Sequence, residues 1–506
     1  MDILLLSTDM DVWALGLRSV SAVLKAAGHN TRLVFMKTRE RIFKKSELDE
    51  FAGLARQTDI IGVSCLAQGS EKAKQIIDSL RSQKKMIVWG GVHASLNPED
   101  CANWADIVCM GEGEGMMLDL LERQSQGRDW KDIDNIAYKE NGKLISNDLR
   151  PPISDLDTLP LPDYSFENEY HLTPNGFVQV TTLEEVNKTG RILFNSSRGC
   201  AFHCTYCCNI KLKNLYSGKN RYVRRMSVSK LIEHTQNLRK IFPQGWNFYF
   251  IDEDFGARPL DELSQLSEEF PQKIGLPFEC LTHPAQVSQQ KMDLLVKAGL
   301  FRVNMGIESG SERTRKMVYD RHVSNEVVKR AAKIISDYPQ VTPYYLFITT
   351  NPYEDRSDLL ETARLISWLP YGCHLVIYNL VFFPGSFIFQ RAVQDNLIEG
   401  KIDSGYELSF IGEFNYKNHS WKRKNLYLNG LLFLMVGPST RYRIGILPRP
   451  LINTLLHPRF IDFAEKHTSG IKVMLAVKFL INKAFHIRGQ LRRKVVEAPS
   501  AAANLG

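Results

Sequence analysis

Short apolar runs alternate with amphipathic helical stretches twice along the chain. This alternation limits the fold more than any other feature. In the first 145 residues the runs are "DILLLS", "NTRLVFM", "DIIGVSCL", "KMIVWGG" and "ADIVCMGEGE", with helical stretches such as "GLRSVSAVLKAAGH" and "EKAKQIIDSLRSQ" between them. Buried runs separated by helices predict a parallel, doubly wound α/β sheet with its ligand beyond the carboxyl ends of the strands. Those ends are Ser64 to Leu66, Gly90 to His93 and Gly111 to Glu114, and their glycines let backbone approach a ligand closely.

A second alternation begins at Arg191. Its runs are "RILFNSS", "NFYFID", "LPFECL", "FRVNMGIE", "TPYYLFIT" and "HLVIYNLVFF". Six strand–helix units predict an open parallel sheet or a partial barrel, with the site at the strand C-terminal ends. At 506 residues the chain exceeds one compact domain. The expected organisation is an N-terminal sheet domain (1–145), a connector (146–190), a second α/β core (191–400) and a mainly helical extension (401–506). Pro151, Pro152, Pro160 and Pro162 mark the connector, because proline resists helix and sheet.

The net charge of +8 is confined to the tail. From Trp421 onward 15 Lys and Arg face 3 Asp and Glu, a balance of +12 that leaves about −4 for the rest. Basic residues among Leu, Ile, Val and Phe in the tail fit either an interfacial helix touching membrane or a lipid-like substrate, or a packed helix with a solvated basic face. Nucleic acid is not expected, since no binding module accompanies the charge. The N-terminus lacks the basic start of a secretory signal, and no apolar run nears the roughly 20 residues of a membrane span. A cytoplasmic chain is expected, in which structural disulfides are rare.

Four of the nine cysteines fall within "CAFHCTYCC", residues 200–208. A disulfide knot, a zinc site and an iron–sulfur cluster compete for this run. The expected compartment disfavours the knot. Structural zinc sites pair two such clusters, and the next cysteine here is the distant Cys280. A cube held by three thiolates would keep one iron open to a substrate.

The spacing of Cys200, Cys204 and Cys207, with Tyr206 before the last, resembles the radical S-adenosylmethionine (SAM) enzymes. The N-terminal sheet resembles a cobalamin-binding domain, and "DLDTLPLPDYSF" the connector of that subfamily. "FIDEDF", "GIESGSERTRKMVYDR" and "FFPGS" resemble segments after its second, fourth and sixth core strands. The resemblance, to cobalamin-binding radical SAM enzymes, covers roughly residues 1–395.

It implies a 4Fe–4S cluster on Cys200, Cys204 and Cys207, SAM chelated at the open iron, and a 5′-deoxyadenosyl radical formed by reductive cleavage. It implies SAM contacts from Tyr206, Asp252, Glu253, Glu308 and Ser309, and cobalamin contacts from Ser64, Leu66, Gly90, Gly91, Gly111 and Glu112. Cys208 is expected to point away from Cys207 into the core, and His283 to be structural. The loop "STDMDVWALGL" lacks the histidine of the Asp-x-His-x-x-Gly motif, so that motif supplies no cobalt ligand here. The implied activity is methyl transfer to an unactivated carbon of a small-molecule or lipid-like substrate, with a low-potential donor such as flavodoxin or ferredoxin. The alternatives are a radical cyclase, oxidase or rearrangement enzyme, and a non-catalytic iron–sulfur or cobalamin sensor. No catalytic residue is assigned.

Overall fold

The computed structural model describes residues 1–9, 12–36, 42–181, 190–370, 372–398, 425–435 and 453–467. The chain divides into two compact units, the first spanning Met1–Leu281, Asp293–Leu300 and Val381–Leu408.

The first unit holds the strands β1 Asp2–Ser7, β2 Asn30–Met36, β3 Ile60–Ser64, β4 Met86–Gly90, β5 Ile107–Cys109, β6 Ile136–Glu140, β7 Lys143–Ser146, β8 Glu169–Thr173 and β9 Gly176–Val180. They form one sheet in the order β7-β6-β5-β4-β3-β1-β2-β8-β9. The five expected strands are its parallel centre, buried on both faces, which explains their near-continuous apolar composition. The order reverses at β1, with β2 on one side and β3 on the other, so a crevice opens at their carboxyl ends. The register sets Ser7, Ser64 and Gly90 side by side at that edge.

The segment read as a connector does more than join domains. Its residues 169–180 form the β8–β9 hairpin, which adds to the sheet beside β2. Arg18, fully buried, ties this hairpin down through Glu169 at 2.8 Å and the Asp163 carbonyl at 2.7 Å.

The same unit contains β10 Arg191–Phe194, the short pair β11 Ser197–Arg198 and β12 Arg224–Arg225, β13 Asn247–Phe250 and β14 Phe278–Thr282. β10, β13 and β14 are parallel neighbours. Helix Leu260–Lys273 covers them, and its Phe270 packs edge-on against Phe278 with centroids 5.5 Å apart.

The second unit spans Thr282–Met292, Phe301–Leu380 and the described residues of the C-terminal extension. Its strands are β15 Leu300–Glu308, β16 Thr342–Thr349 and β17 His374–Asn379, again parallel. Buried residues alternate with half-buried ones along each, so one face packs on helices and the other, bearing Glu308, is open. All six expected strands of the core are therefore present. The extension contributes helix Leu426–Met435, whose Tyr427, Leu428, Leu431 and Leu432 are buried in protein, and helix Pro458–Lys466. The remaining tail lies outside the described residues, as does its basic apolar stretch after 467. Among the described residues no helix is long and apolar enough to cross a membrane.

Candidate functional site: a thiol loop beside a glycine-lined cavity

The cysteine run leaves β10 through β11 and ends on helix Cys208–Leu215, which places it at the carboxyl end of the first core strand. Gly199 has φ +87°, and a Cβ there would lie 2.5 Å from the Tyr222 carbonyl oxygen, so the turn into Cys200 requires glycine. The loop closes with a Cys207 amide bond to the Cys204 carbonyl at 3.0 Å. The helix after the "FFPGS" segment supports it, with the Ile388 amide donating to the Thr205 carbonyl at 3.1 Å.

Burial pushes the Cys200 thiol up to about 12, and the charges acting on it are all negative: Glu253, Cys207 and Cys204. Cys207 goes the other way. The Cys208 thiol donates to it, as do the Asn209 amide and side chain, and its pKa falls. Three reduced thiols that feel one another, beside a carboxylate and with no cation among the charges acting on Cys200, suit a cationic iron cluster. The cysteine set therefore fits the cluster.

One expectation is corrected here. Cys208 does not point away from Cys207; the two thiols meet, and the bond raises the Cys208 pKa. Cys207 is the extended N-cap of the helix and Cys208 its first residue, and the sharp change of backbone direction converges their side chains.

Of the residues expected around SAM, Tyr206, Asp252 and Glu253 belong to the first unit and Glu308 and Ser309 to the second. Tyr206 is half-buried in the thiol loop. Glu253 is exposed as a residue, yet its carboxyl lies among protein atoms beside the thiols, and that desolvation raises its pKa. Asp252 turns inward, accepting from the Ser196 hydroxyl at 2.8 Å and amide at 3.2 Å, so it anchors the root of the thiol loop. In the second unit Glu308 has φ +71°, a left-handed conformation that a non-glycine residue holds only under constraint. Its carboxylate folds over Gly306, where any Cβ would collide with it. Ser309 is fully buried and its hydroxyl donates to Glu354 at 2.9 Å, facing protein. His283 is structural, its Nδ1 accepting from the Ala285 amide while burial, with the Arg321 charge, holds it down at about 2.

A cavity of about 280 Å³ opens at the crevice of the first sheet. Ser64, Gly90, Gly91, Gly111 and Glu112 line it; Leu66 does not, and is 43% exposed. Gly91 has φ +89°, and a Cβ would fall 2.8 Å from Ser64 Oγ. Gly111 answers to protein: a Cβ would strike the Tyr216 hydroxyl, which accepts from the Glu112 amide at 2.8 Å. An apolar, glycine-lined slot at a switch point fits a cofactor group pushed between strand ends. His93 is buried beside Asp100 and outside the lining.

Sequence reasoning missed the residues that join cavity to thiol loop. Arg198, two residues before Cys200, lines the cavity and bonds Glu114 at 2.6 Å and Glu112 at 3.1 Å. Arg224, on the paired strand, holds Glu112 at 2.9 Å. Leu156, Leu159 and Pro160 of the connector also line the cavity. The only local signal was a basic residue directly before Gly199-Cys200.

The B12 binding domain family matches residues 1–121, and the Radical SAM superfamily matches residues 194–366. The chain belongs to the cobalamin-binding radical SAM enzymes. The cavity lies in and beside the B12-binding domain, and the thiol loop opens the radical SAM domain. Among characterised relatives, the chain is 25% identical over 387 residues to an anaerobic magnesium-protoporphyrin IX monomethyl ester cyclase from Rubrivivax gelatinosus, covering 74% of this chain and 65% of that one. It is 27% identical to a bacteriochlorophyllide d C-8(2)-methyltransferase from Chlorobaculum tepidum, covering 60% and 63%. The chain thus spans just under two thirds of the length of these two relatives. The radical SAM methyltransferase TsrM from Kitasatospora setae, solved with cobalamin and a [4Fe-4S] cluster, shares the fold at a TM-score of 0.63 and 15% identity, over 78% of each chain.

Proposed function

We propose that this radical SAM enzyme is a cobalamin-dependent methyltransferase acting on an unactivated carbon of a small molecule. The observation that carries the reading is Arg198, which belongs at once to the cavity lining and to the strand entering the thiol loop. One compact unit holds both the cavity and the thiol loop, which supports a reading in which a methyl group is delivered to a radical centre.

When bound, the cluster with SAM supplies a carbon radical and cobalamin supplies the methyl group. The chain does the rest. Cys200, Cys204 and Cys207 would hold the cluster. Cys208 and Asn209 donate to Cys207 and favour its thiolate. Asp252, through Ser196, fixes the root of the loop. Glu308 would contact SAM from the open face of β15. The apolar cavity wall excludes water. A low-potential donor protein would reduce the cluster.

A second reading, radical cyclisation, is favoured by the resemblance to the cyclase. Products of SAM turnover under anaerobic conditions separate the two. S-adenosylhomocysteine with 5′-deoxyadenosine supports methyl transfer; 5′-deoxyadenosine alone supports the cyclase reading. The basic segment 468–506, outside the described residues, is read as a surface-binding tail on its sequence of 7 Lys and Arg against 1 Glu.

A further inference from the structure

Glu354 is 1% exposed and lies in the loop after β16. Its Oε1 accepts from Ser309 Oγ at 2.9 Å, and its Oε2 has no hydrogen-bond partner among the described residues. The buried Thr314 hydroxyl faces the same carboxyl and is its second hydrogen-bonding neighbour. No Lys or Arg pairs with Glu354 among the described residues. Arg313, whose charge acts on it, binds Asp358 instead.

Ser309 follows Glu308, and several bonds fix it. Its amide donates to the Ile307 carbonyl at 2.9 Å, its hydroxyl receives the Ser311 amide at 3.1 Å, and its carbonyl accepts from Arg315. The Gly310 amide donates to Thr362 Oγ1 at 2.8 Å. Glu354 is the one ionisable acceptor in this set. The left-handed backbone of Glu308 survives only while its surroundings dictate it.

We propose that Glu354 is the positioning residue of the Glu308–Ser309 turn, and that its carboxyl works in the protonated form. This rests on reading Glu308 as a SAM contact. A neutral acid accepts from Ser309 and donates its own proton to Thr314. An ionised carboxylate would sit buried without a cation. Asp358 on helix Arg356–Trp368 adds repulsion, Arg313 offsets it in part, and the buried Tyr319 phenol, which feels both Glu354 and Glu308, stays neutral. Asn425, from the C-terminal extension, reaches only the Glu354 carbonyl. Burial first, and then Asp358, push the carboxyl up to about 8. Above that value the group ionises, the turn loosens and Glu308 is released.

The test is SAM affinity by anaerobic equilibrium dialysis on the cluster-reconstituted full chain. It compares wild type, Glu354→Gln and Glu354→Ala across roughly pH 6.5 to 9. Glutamine reproduces the neutral acid: its oxygen accepts from Ser309 and its amide donates to Thr314. The expected result for wild type is a Kd that rises about tenfold from pH 7 to 9, as the competent fraction falls. Glu354→Gln should bind like wild type at pH 7 and lose that rise, while Glu354→Ala binds weakly throughout. The SAM amino group titrates in the same range in every variant and cancels in the comparison. Parallel pH profiles in wild type and Glu354→Gln would overturn the proposal, and so would alanine binding as well as glutamine. Should Glu354→Ala fail to fold, the glutamine comparison decides alone. Wild type that binds SAM equally when Glu308 is replaced by Ala would instead overturn the reading of Glu308, and the proposal with it.

Discussion

Arg198 Nη2 lies 2.6 Å from Glu114 Oε1, and this ion pair ties the first turn of a helix at the cavity to the strand that enters the thiol loop. Ser19 shares it, donating to the same carboxylate at 2.8 Å. Burial alone would raise the Glu114 pKa, but the Arg198 charge and hydrogen bond outweigh it, and the carboxyl titrates below its usual value.

Truncation of Arg198 should therefore be costly. Glu114 would remain buried without its cation, a loss of about 3–5 kcal/mol for a pair of this kind. The pH dependence also changes sign. In wild type the depressed Glu114 contributes stability above its unfolded pKa that is lost as pH falls through the folded value. In Arg198→Ala the unpaired carboxyl prefers its proton, so the melting temperature should fall as pH rises from 5 to 8. Adding Glu114→Gln should recover much of the loss. Thermal melts of the three proteins across pH check this; a double variant no more stable than Arg198→Ala would contradict it.

Replacing Cys200, Cys204 or Cys207 with Ala should abolish the cluster, while Cys208→Ala should keep about four irons per chain after anaerobic reconstitution. Because the Cys208 thiol donates to Cys207, its removal should still shift the reduction potential of the cluster downward, since hydrogen bonds to cluster sulfurs raise it. Iron analysis and redox titration measure both. Loss of iron in the Cys208 variant would make it a ligand instead.

The strands were legible because their period and burial are local properties, and the cysteine triad because its spacing is local too. What escaped depends on partners far along the chain. Arg198 meets Glu114 across 84 positions, and no pattern near either residue announces the other. The inward turns of Asp252 and Ser309 follow from Ser196 and Glu354, residues of other elements. The β8–β9 hairpin does have a local signal, the turn "TPNG" between two apolar stretches, but the prolines before it dominated the reading. Cys208 was misplaced because its direction depends on the helix starting at that residue.

Cobalamin bound to the first domain should show no nitrogen superhyperfine splitting from a protein imidazole of an Asp-x-His-x-x-Gly motif. The loop carries no histidine, and its described residues Val12 and Trp13 are buried, Trp13 against Tyr164 and Phe242. Paramagnetic-resonance spectra of the cob(II) state decide. Gly91→Ala should weaken loading as well, since its Cβ enters the space of Ser64 at a left-handed backbone position.

The basic tail should bind vesicles containing anionic lipid, weaken with salt and lose binding on truncation after residue 467. That cut preserves helix Leu426–Met435, whose buried side chains belong to the folded unit. Flotation of the full chain and the truncated chain at low and high salt measures it. Equal behaviour of the two would assign the tail no surface role.

Methyl transfer is tested most directly by the adenosyl products of SAM. The measurement is anaerobic turnover of the fully loaded enzyme with a low-potential reductant and a substrate it consumes, followed by quantification of both products. Cobalamin-dependent methylation predicts S-adenosylhomocysteine and 5′-deoxyadenosine in about equal amounts, one from each SAM used. 5′-Deoxyadenosine without S-adenosylhomocysteine, at full substrate conversion, would contradict it.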